Sequence, residues 1–149
     1  MVCISSGGGV NMEGQTLGQH RAAHALEAIK KLEKEKNYGN FGSYVQRLPA
    51  TIVMNGLGQA MAGELAAARN GTNDDERAHK ILFKLVESWL QKSNAYPKID
   101  LMTAIVRGGQ EDYVRAQAEA LAYLDWLKKF SQAYLNGDNN GSTIVRDGN

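Results

Sequence analysis

Leu48-Pro49-Ala50-Thr51-Ile52-Val53-Met54-Asn55-Gly56-Leu57-Gly58-Gln59-Ala60-Met61-Ala62 is the stretch whose reading decides the fold. It carries almost no charge, and Val53, Leu57, Ala60 and Met61 recur at helical spacing. Asn55, Gly56 and Gly58 interrupt that pattern, each glycine costing roughly 1 kcal/mol against alanine. A buried helix that keeps two glycines usually does so because another backbone passes close by. The stretch therefore reads as the central helix of an all-α domain. It opens at Pro49, which suits a first helical turn, and runs to about Arg69.

Outward from it, the chain reads as charged amphipathic helices packed around this centre. Thr16 is a candidate N-cap for a first helix with the inner stripe Ala22, Leu26, Ile29 and Leu32. Lys30, Lys31, Lys34 and Lys36 mix with Glu27, Glu33 and Glu35 on its outer side, and Asn37-Tyr38-Gly39-Asn40 stops it. Phe41 to Leu48 reads as a short helix broken before Pro49, because a residue preceding proline is pushed out of the α region. Beyond the central helix, Asn70-Gly71-Thr72-Asn73 is a turn, and Asp74, Asp75 and Glu76 suit the next helix start. That helix has the cleanest pattern in the chain: Ala78, Ile81, Leu82, Leu85, Val86, Trp89 and Leu90. Ser93 to Lys98 is a loop, and Ile99 to Val106 is a short helix ended by Gly108-Gly109. The longest helix runs from about Gln110 to Leu135. It carries one stripe of Val114, Ala118, Leu121 and Leu124 and an aromatic one of Tyr123, Trp126, Phe130 and Tyr134. No stretch alternates convincingly with period two. The expectation is an all-α, single compact bundle of about six helices over residues 16–135, between flexible tails at 1–15 and 136–149.

The 149 residues suit one domain, and a chain of this size buries about 68–70% of its unfolded surface without a disulfide or metal. Cys3 is the single cysteine, which excludes an internal disulfide. No apolar run approaches the ~18 residues of a membrane helix, and the N-terminus has no secretory pattern, so the sequence predicts a cytoplasmic protein with no membrane partner. The net charge of +1 falls short of a domain built to coat nucleic acid, so any such role needs a local patch.

Candidate chemistry is sparse. His20 and His24 stand i, i+4 on the first helix, a metal-sharing spacing, but Arg21 occupies the place of a metalloprotease base and opposes a second cation. The glycines of Gly56-Leu57-Gly58 follow no strand and lack the third glycine of a dinucleotide fingerprint, which leaves close helix packing. No serine lies in a nucleophile elbow, and no carboxylate pair can be assigned to acid–base work. Asp74-Asp75-Glu76 reads as a helix cap, and the sequons at Asn70 and Asn140 read as turn and tail. The expectation is no catalytic residue, no metal and no cofactor. Trp89 reads as core. Trp126, Phe130 and Tyr134 belong either to the core or to an outward stripe on which a base or a partner helix stacks. Lys128-Lys129 is either a nucleic-acid contact or a solvated face, and the guanidiniums of Arg21 and Arg47 either reach phosphates or cap helix ends.

As an ordered set, three segments carry a resemblance. They are Gln19-His20-Arg21-Ala22-Ala23, then Tyr44 with Leu48-Pro49 leading into Ile52 through Ala62, then Glu119-Ala120-Leu121-Ala122-Tyr123-Leu124-Asp125-Trp126-Leu127-Lys128-Lys129-Phe130. Over roughly residues 16–135 the chain resembles the small helical subunit of the type III-B CRISPR RNA-silencing effector, the Cmr complex. The resemblance implies an all-α protein without catalytic role, cleavage belonging to other subunits. It implies stacking along the repeated backbone subunit, self-stacking, and lining of the channel where target RNA pairs with guide RNA. Arg21, Arg47, Lys128 and Lys129 fall where the family's basic positions lie, and these are the expected nucleic-acid contacts. Trp126 and Phe130 are the expected protein interface. A helical protein–protein scaffold without RNA contact is the competing expectation, motivated by the near-zero net charge.

Overall fold

The computed structural model describes residues 14–135, and in it Thr16 opens the first helix as its sequence predicts. Its Oγ1 accepts from Gln19 N–H at 3.0 Å while its own N–H donates to Gln19 Oε1 at 2.8 Å, a complete capping box. This helix, α1 (Leu17–Glu35), ends at Lys36, which takes the left-handed conformation and donates its N–H to the Leu32 carbonyl. Five further helices follow: α2 (Phe41–Asn55), α3 (Leu57–Ala68), α4 (Asp74–Lys92), α5 (Leu101–Arg107) and α6 (Gln110–Tyr134). The predicted tails at 1–15 and 136–149, with Cys3 and the Asn140 sequon, lie outside the described residues except for the last positions before Thr16. Among the described residues, no helix is long and apolar enough to cross a membrane.

The central stretch departs from expectation in one respect. The chain does not break before Pro49: α2 runs straight through it and ends at Asn55. An interior proline forfeits a backbone hydrogen bond and costs about 3 kcal/mol. Against that, Phe41, Val45, Leu48 and Ile52 lie on one face spanning the proline and are all buried, and each is worth about 1.5–3 kcal/mol. Burial wins. The break falls instead at Gly56, whose φ of 92° and ψ of 156° suit glycine alone. Gly56 closes α2 by donating its N–H to the Ile52 carbonyl at 2.7 Å and opens α3 by accepting from Ala60 N–H. The break resets the helical phase. Leu57, Ala60 and Met61 are buried as expected, but Val53, assigned to the same stripe, is 68% exposed and Met54 80% exposed.

The glycines are expected to admit another backbone, but what lies close to them at this corner is side chains of α5 and α6. The Gly58 N–H donates to Tyr113 Oη at 3.0 Å, and a Cβ on Gly58 would lie 3.3 Å from Ile105 Cγ2. Leu57 N–H donates to Gln117 Oε1 at 2.8 Å, so both amides at the start of α3 are satisfied from α6.

Asn73 caps α4 by accepting from Glu76 N–H, which leaves Asp74, Asp75 and Glu76 in the first turn where the helix dipole favours them. The inner face of α4 is the one predicted, with Phe83 and Glu87 added and Ile81 and Leu85 half-buried. Glu87 is buried because its carboxylate accepts the Leu101 N–H at 2.9 Å, satisfying the first turn of α5. On α6 the predicted stripe is displaced: Val114 and Ala118 face out, while Ala116, Ala120, Tyr123, Leu124 and Leu127 form the seam. That seam takes α1 on one side and α2 on the other. Arg21 meets Glu119, His24 meets Tyr123 and Lys30 meets Tyr134, so α1 and α6 run parallel. Tyr38, just before α2, meets Leu135, and Leu57, just after it, meets Gln117, so α2 runs antiparallel to α6. α3 and α4 form a hairpin that completes the core.

Candidate functional site

Arg21 emerges from α1 beside Glu119 of α6, and the guanidinium forks onto both carboxylate oxygens, one at 3.0 Å. Trp89 of α4 donates Nε1–H to the same carboxylate at 2.8 Å, so Glu119 ties three helices together. Burial works against the charge on Glu119, but the hydrogen bonds from Arg21 and Trp89 and the guanidinium's charge outweigh it and hold the carboxyl below its usual range. The hydrogen bond to Glu119 raises Arg21 against the opposing effect of burial.

One turn along α1, His24 is engaged through both ring nitrogens. Nδ1 lies 2.7 Å from Tyr123 Oη and Nε2 lies 3.1 Å from Ser88 Oγ. Its ring meets Trp89 and Tyr123 edge-on at 5.5 and 5.2 Å. Burial depresses its pKa, the Lys92 charge adds to this, and Glu27 opposes it. Burial likewise pushes the Tyr123 phenol well above its ordinary range. The spacing of His20 and His24 therefore serves helix packing at His24. Among the described residues, no three His, Cys, Asp or Glu side chains converge as metal ligands.

The other nominated residues lie elsewhere. Arg47 is exposed on α2 with its guanidinium 5.2 Å over the Tyr44 ring, and Tyr44 stacks on His79 of α4 at 3.8 Å. His79 Nδ1 is 2.7 Å from Glu64 Oε1 of α3. Lys128 and Lys129 stand in the C-terminal half of α6. Lys128 is half-buried, and Lys129 pairs with Asp125 at 2.9 Å on open surface, a contact of little energetic worth. Trp126, 36% exposed, begins a surface row that continues to half-buried Phe130 at 5.6 Å and Tyr134 at 6.3 Å. Lys30 of α1 caps the row, its Nζ 4.2 Å from the Tyr134 ring. The four nominated cations thus occupy three places: Arg21 at the α1–α6 junction, Arg47 on the outer side of α2, and the lysine pair near the end of α6.

Reading the sequence by motif did not nominate Glu119, Tyr44, Glu64 or Glu87 for these contacts. A lone carboxylate between Ala118 and Ala120 hints that Glu119 has a partner, but that partner is 98 positions away and carries no sequence signal.

A second surface feature lies at the Gly56 corner. Val53 and Met54 precede it, Val106 follows Ile105, and Val114 follows Tyr113; Val106 and Val114 are 74% and 60% exposed. All four are thus exposed and next in sequence, or nearly so, to residues that make the corner.

The whole helical body, residues 17–134, matches the family model described as CRISPR-associated protein (Cas_Cmr5). The chain belongs to this family. As a Cmr subunit it is a small member of the type III-B CRISPR-associated complex and works with that complex's other subunits. The match begins at the first residue of α1 and ends at the last of α6, so it covers every helix described above.

Proposed function

We infer that this Cmr subunit is non-catalytic, stacks along the repeated backbone subunit and against neighbouring copies of itself, and helps to hold target RNA against guide RNA in antiviral defence. The observation that carries the reading is the exposure of unlike apolar side chains near the two ends of α6. Val53, Met54, Val106 and Val114 lie near its start, and Trp126, Phe130 and Tyr134 lie near its end. Val114 and Tyr134 are separated by about 30 Å of helix at 1.5 Å per residue. Two different surfaces on one chain favour a head-to-tail contact, which repeats into an open stack rather than closing as a dimer. Arg47 and Lys128 supply cations for RNA phosphates, and Arg21 and Lys129 add two whose charges Glu119 and Asp125 offset. Each such contact is weak, and repetition along a stack adds them through effective concentration.

The test is reconstitution with the other effector subunits, a guide RNA and a crosslinkable complementary target. Met54→Gln, at a site 80% exposed, lowers the number of copies per complex with the helical circular dichroism unchanged; normal stoichiometry removes the stacking reading. Arg47→Glu lowers target crosslinking with assembly intact. The scaffold reading, favoured by the pairing of Arg21 with Glu119 and Lys129 with Asp125, predicts the reverse. In that case Trp126→Ala disrupts assembly, and charge reversals leave crosslinking unchanged.

A further inference from the structure

Tyr44 is braced unlike any other ring on the surface. The His79 imidazole stacks on one of its faces at 3.8 Å, inclined by 19°. His79 is in turn clamped to Glu64, both side chains only 15% exposed, so the support behind the phenol is rigid. The Arg47 guanidinium lies over the ring at 5.2 Å on a long exposed side chain. Beside the ring opens a concavity of about 460 Å³ lined by Asn40, Ser43, Tyr44, Gln46 and Arg47. Its walls hold two amides, a hydroxyl, an aromatic ring and one cation, with no carboxylate. On the other side of Tyr44 the surface carries Asp74, Asp75 and Glu76 together with Arg69. The acidic majority there makes that side less favourable for an anionic strand than this one, whose charged lining residue is Arg47. Asp75 lies on the border, where its carboxylate accepts from Asn40 Nδ2 at 3.3 Å.

We propose that this concavity is a subsite for one unpaired nucleotide of single-stranded RNA. The base stacks on the Tyr44 face, the Arg47 guanidinium moves from the ring to the adjacent phosphate, and Asn40, Ser43 and Gln46 hydrogen-bond to base or ribose. An aromatic face accepts any base, so the subsite selects for single-strandedness and not for sequence. The inference rests on the RNA-contact reading above and names the residues that make the contact.

Fluorescence anisotropy of the full-length chain tests it, with two labelled probes: a short oligoadenylate and an abasic phosphodiester of equal length. Tyr44→Leu weakens oligoadenylate binding by roughly 5- to 150-fold and leaves the abasic probe and the salt slope unchanged, whereas Tyr44→Phe retains wild-type affinity. Arg47→Ala weakens both probes and makes the log–log salt slope shallower by about 0.7. Equal loss on both probes in Tyr44→Leu reports misfolding and is checked by circular dichroism. In the assembled complex, a 4-thiouridine target then crosslinks to the peptide containing Tyr44. Unaltered oligoadenylate binding by a folded Tyr44→Leu chain, or crosslinks confined to other peptides, overturns the proposal and leaves the RNA-contact reading intact. Absence of RNA binding by the wild-type chain and of any crosslink in the complex overturns both.

Discussion

Gly56→Ala tests the argument that this fold turns on a glycine corner and not on a proline break. The substitution places a Cβ on a residue with φ of 92° and ψ of 156°, a region that costs a side chain about 1–3 kcal/mol. The new Cβ would also stand 2.9 Å from Tyr113 Oη, so the phenol has to move. That hydroxyl accepts the Gly58 N–H at 3.0 Å, and an amide left without its partner adds about 1–3 kcal/mol. The expected destabilisation is about 2–6 kcal/mol, a large part of the ~5–15 kcal/mol that holds a domain together. Urea unfolding followed by far-ultraviolet circular dichroism measures it. With a slope of about 2 kcal/mol per molar, the midpoint falls by roughly 1–3 M while the slope is unchanged. Gly63→Ala is the internal control. Gly63 lies within α3, and a Cβ there meets nothing within 4 Å, so alanine stabilises by about 0.5–1 kcal/mol. Adding Tyr113→Phe to Gly56→Ala relieves the contact with the new Cβ but leaves the Gly58 N–H without its acceptor, so the backbone strain and the unpaired amide both remain. A Gly56→Ala protein within 1 kcal/mol of wild type, or one indistinguishable from Gly63→Ala, refutes the reasoning.

Other substitutions probe the same architecture. Pro49→Ala restores a donor to the Val45 carbonyl and stabilises by about 1–3 kcal/mol in the same urea assay; a loss of stability refutes the view that the proline is tolerated only for the sake of burial. Glu119→Gln weakens the Arg21 fork and the Trp89 hydrogen bond and destabilises by about 2 kcal/mol at pH 7. Because the folded carboxyl lies below its ordinary 4.5, its contribution is present above that pH and disappears as pH falls through the folded value, so mutant and wild type converge in strong acid. His24 is depressed below 6.5, so its stabilising effect is complete above that pH and declines as the solution is acidified through the lower folded value. Thermal melts between about pH 7.5 and 5 record the decline, and His24→Phe flattens it.

How far the sequence carries depends on the range over which each interaction acts. Helix starts at Thr16 and at Asn73 with its acidic turn were legible, because a cap and its partner lie three residues apart. The α4 face was legible as well, its residues forming one broad stripe that a single helix defines for itself. The face of α6 was not. Two apolar stripes compete on it, and only the positions of α1 and α2 decide that Ala116 and Ala120 face inward while Val114 faces out. The position of the break in the central stretch was similarly undecided. Pro49 and Gly56 both interrupt a helix locally, and the burial of Phe41, Val45, Leu48 and Ile52 along a common face favours continuing through the first.

The same division applies to the candidate site. Arg21, Arg47, Lys128, Lys129, Trp126 and Phe130 could be nominated from residue type and from the resemblance, which the family match over residues 17–134 bears out at the level of the Cmr subunit. Whether each cation is exposed or neutralised could not be read that way. Arg21 meets Glu119 and His24 meets Tyr123 across 98 and 99 positions, and Arg47 lies over a ring that α4 stacks from behind. By itself the sequence determined the helical class, most helix boundaries and the family, because these depend on spacing within one or two turns. The tertiary structure alone decided the glycine corner, the inward faces and the partners of the charged groups, because those energies arise only when residues distant in the chain exclude water from one another.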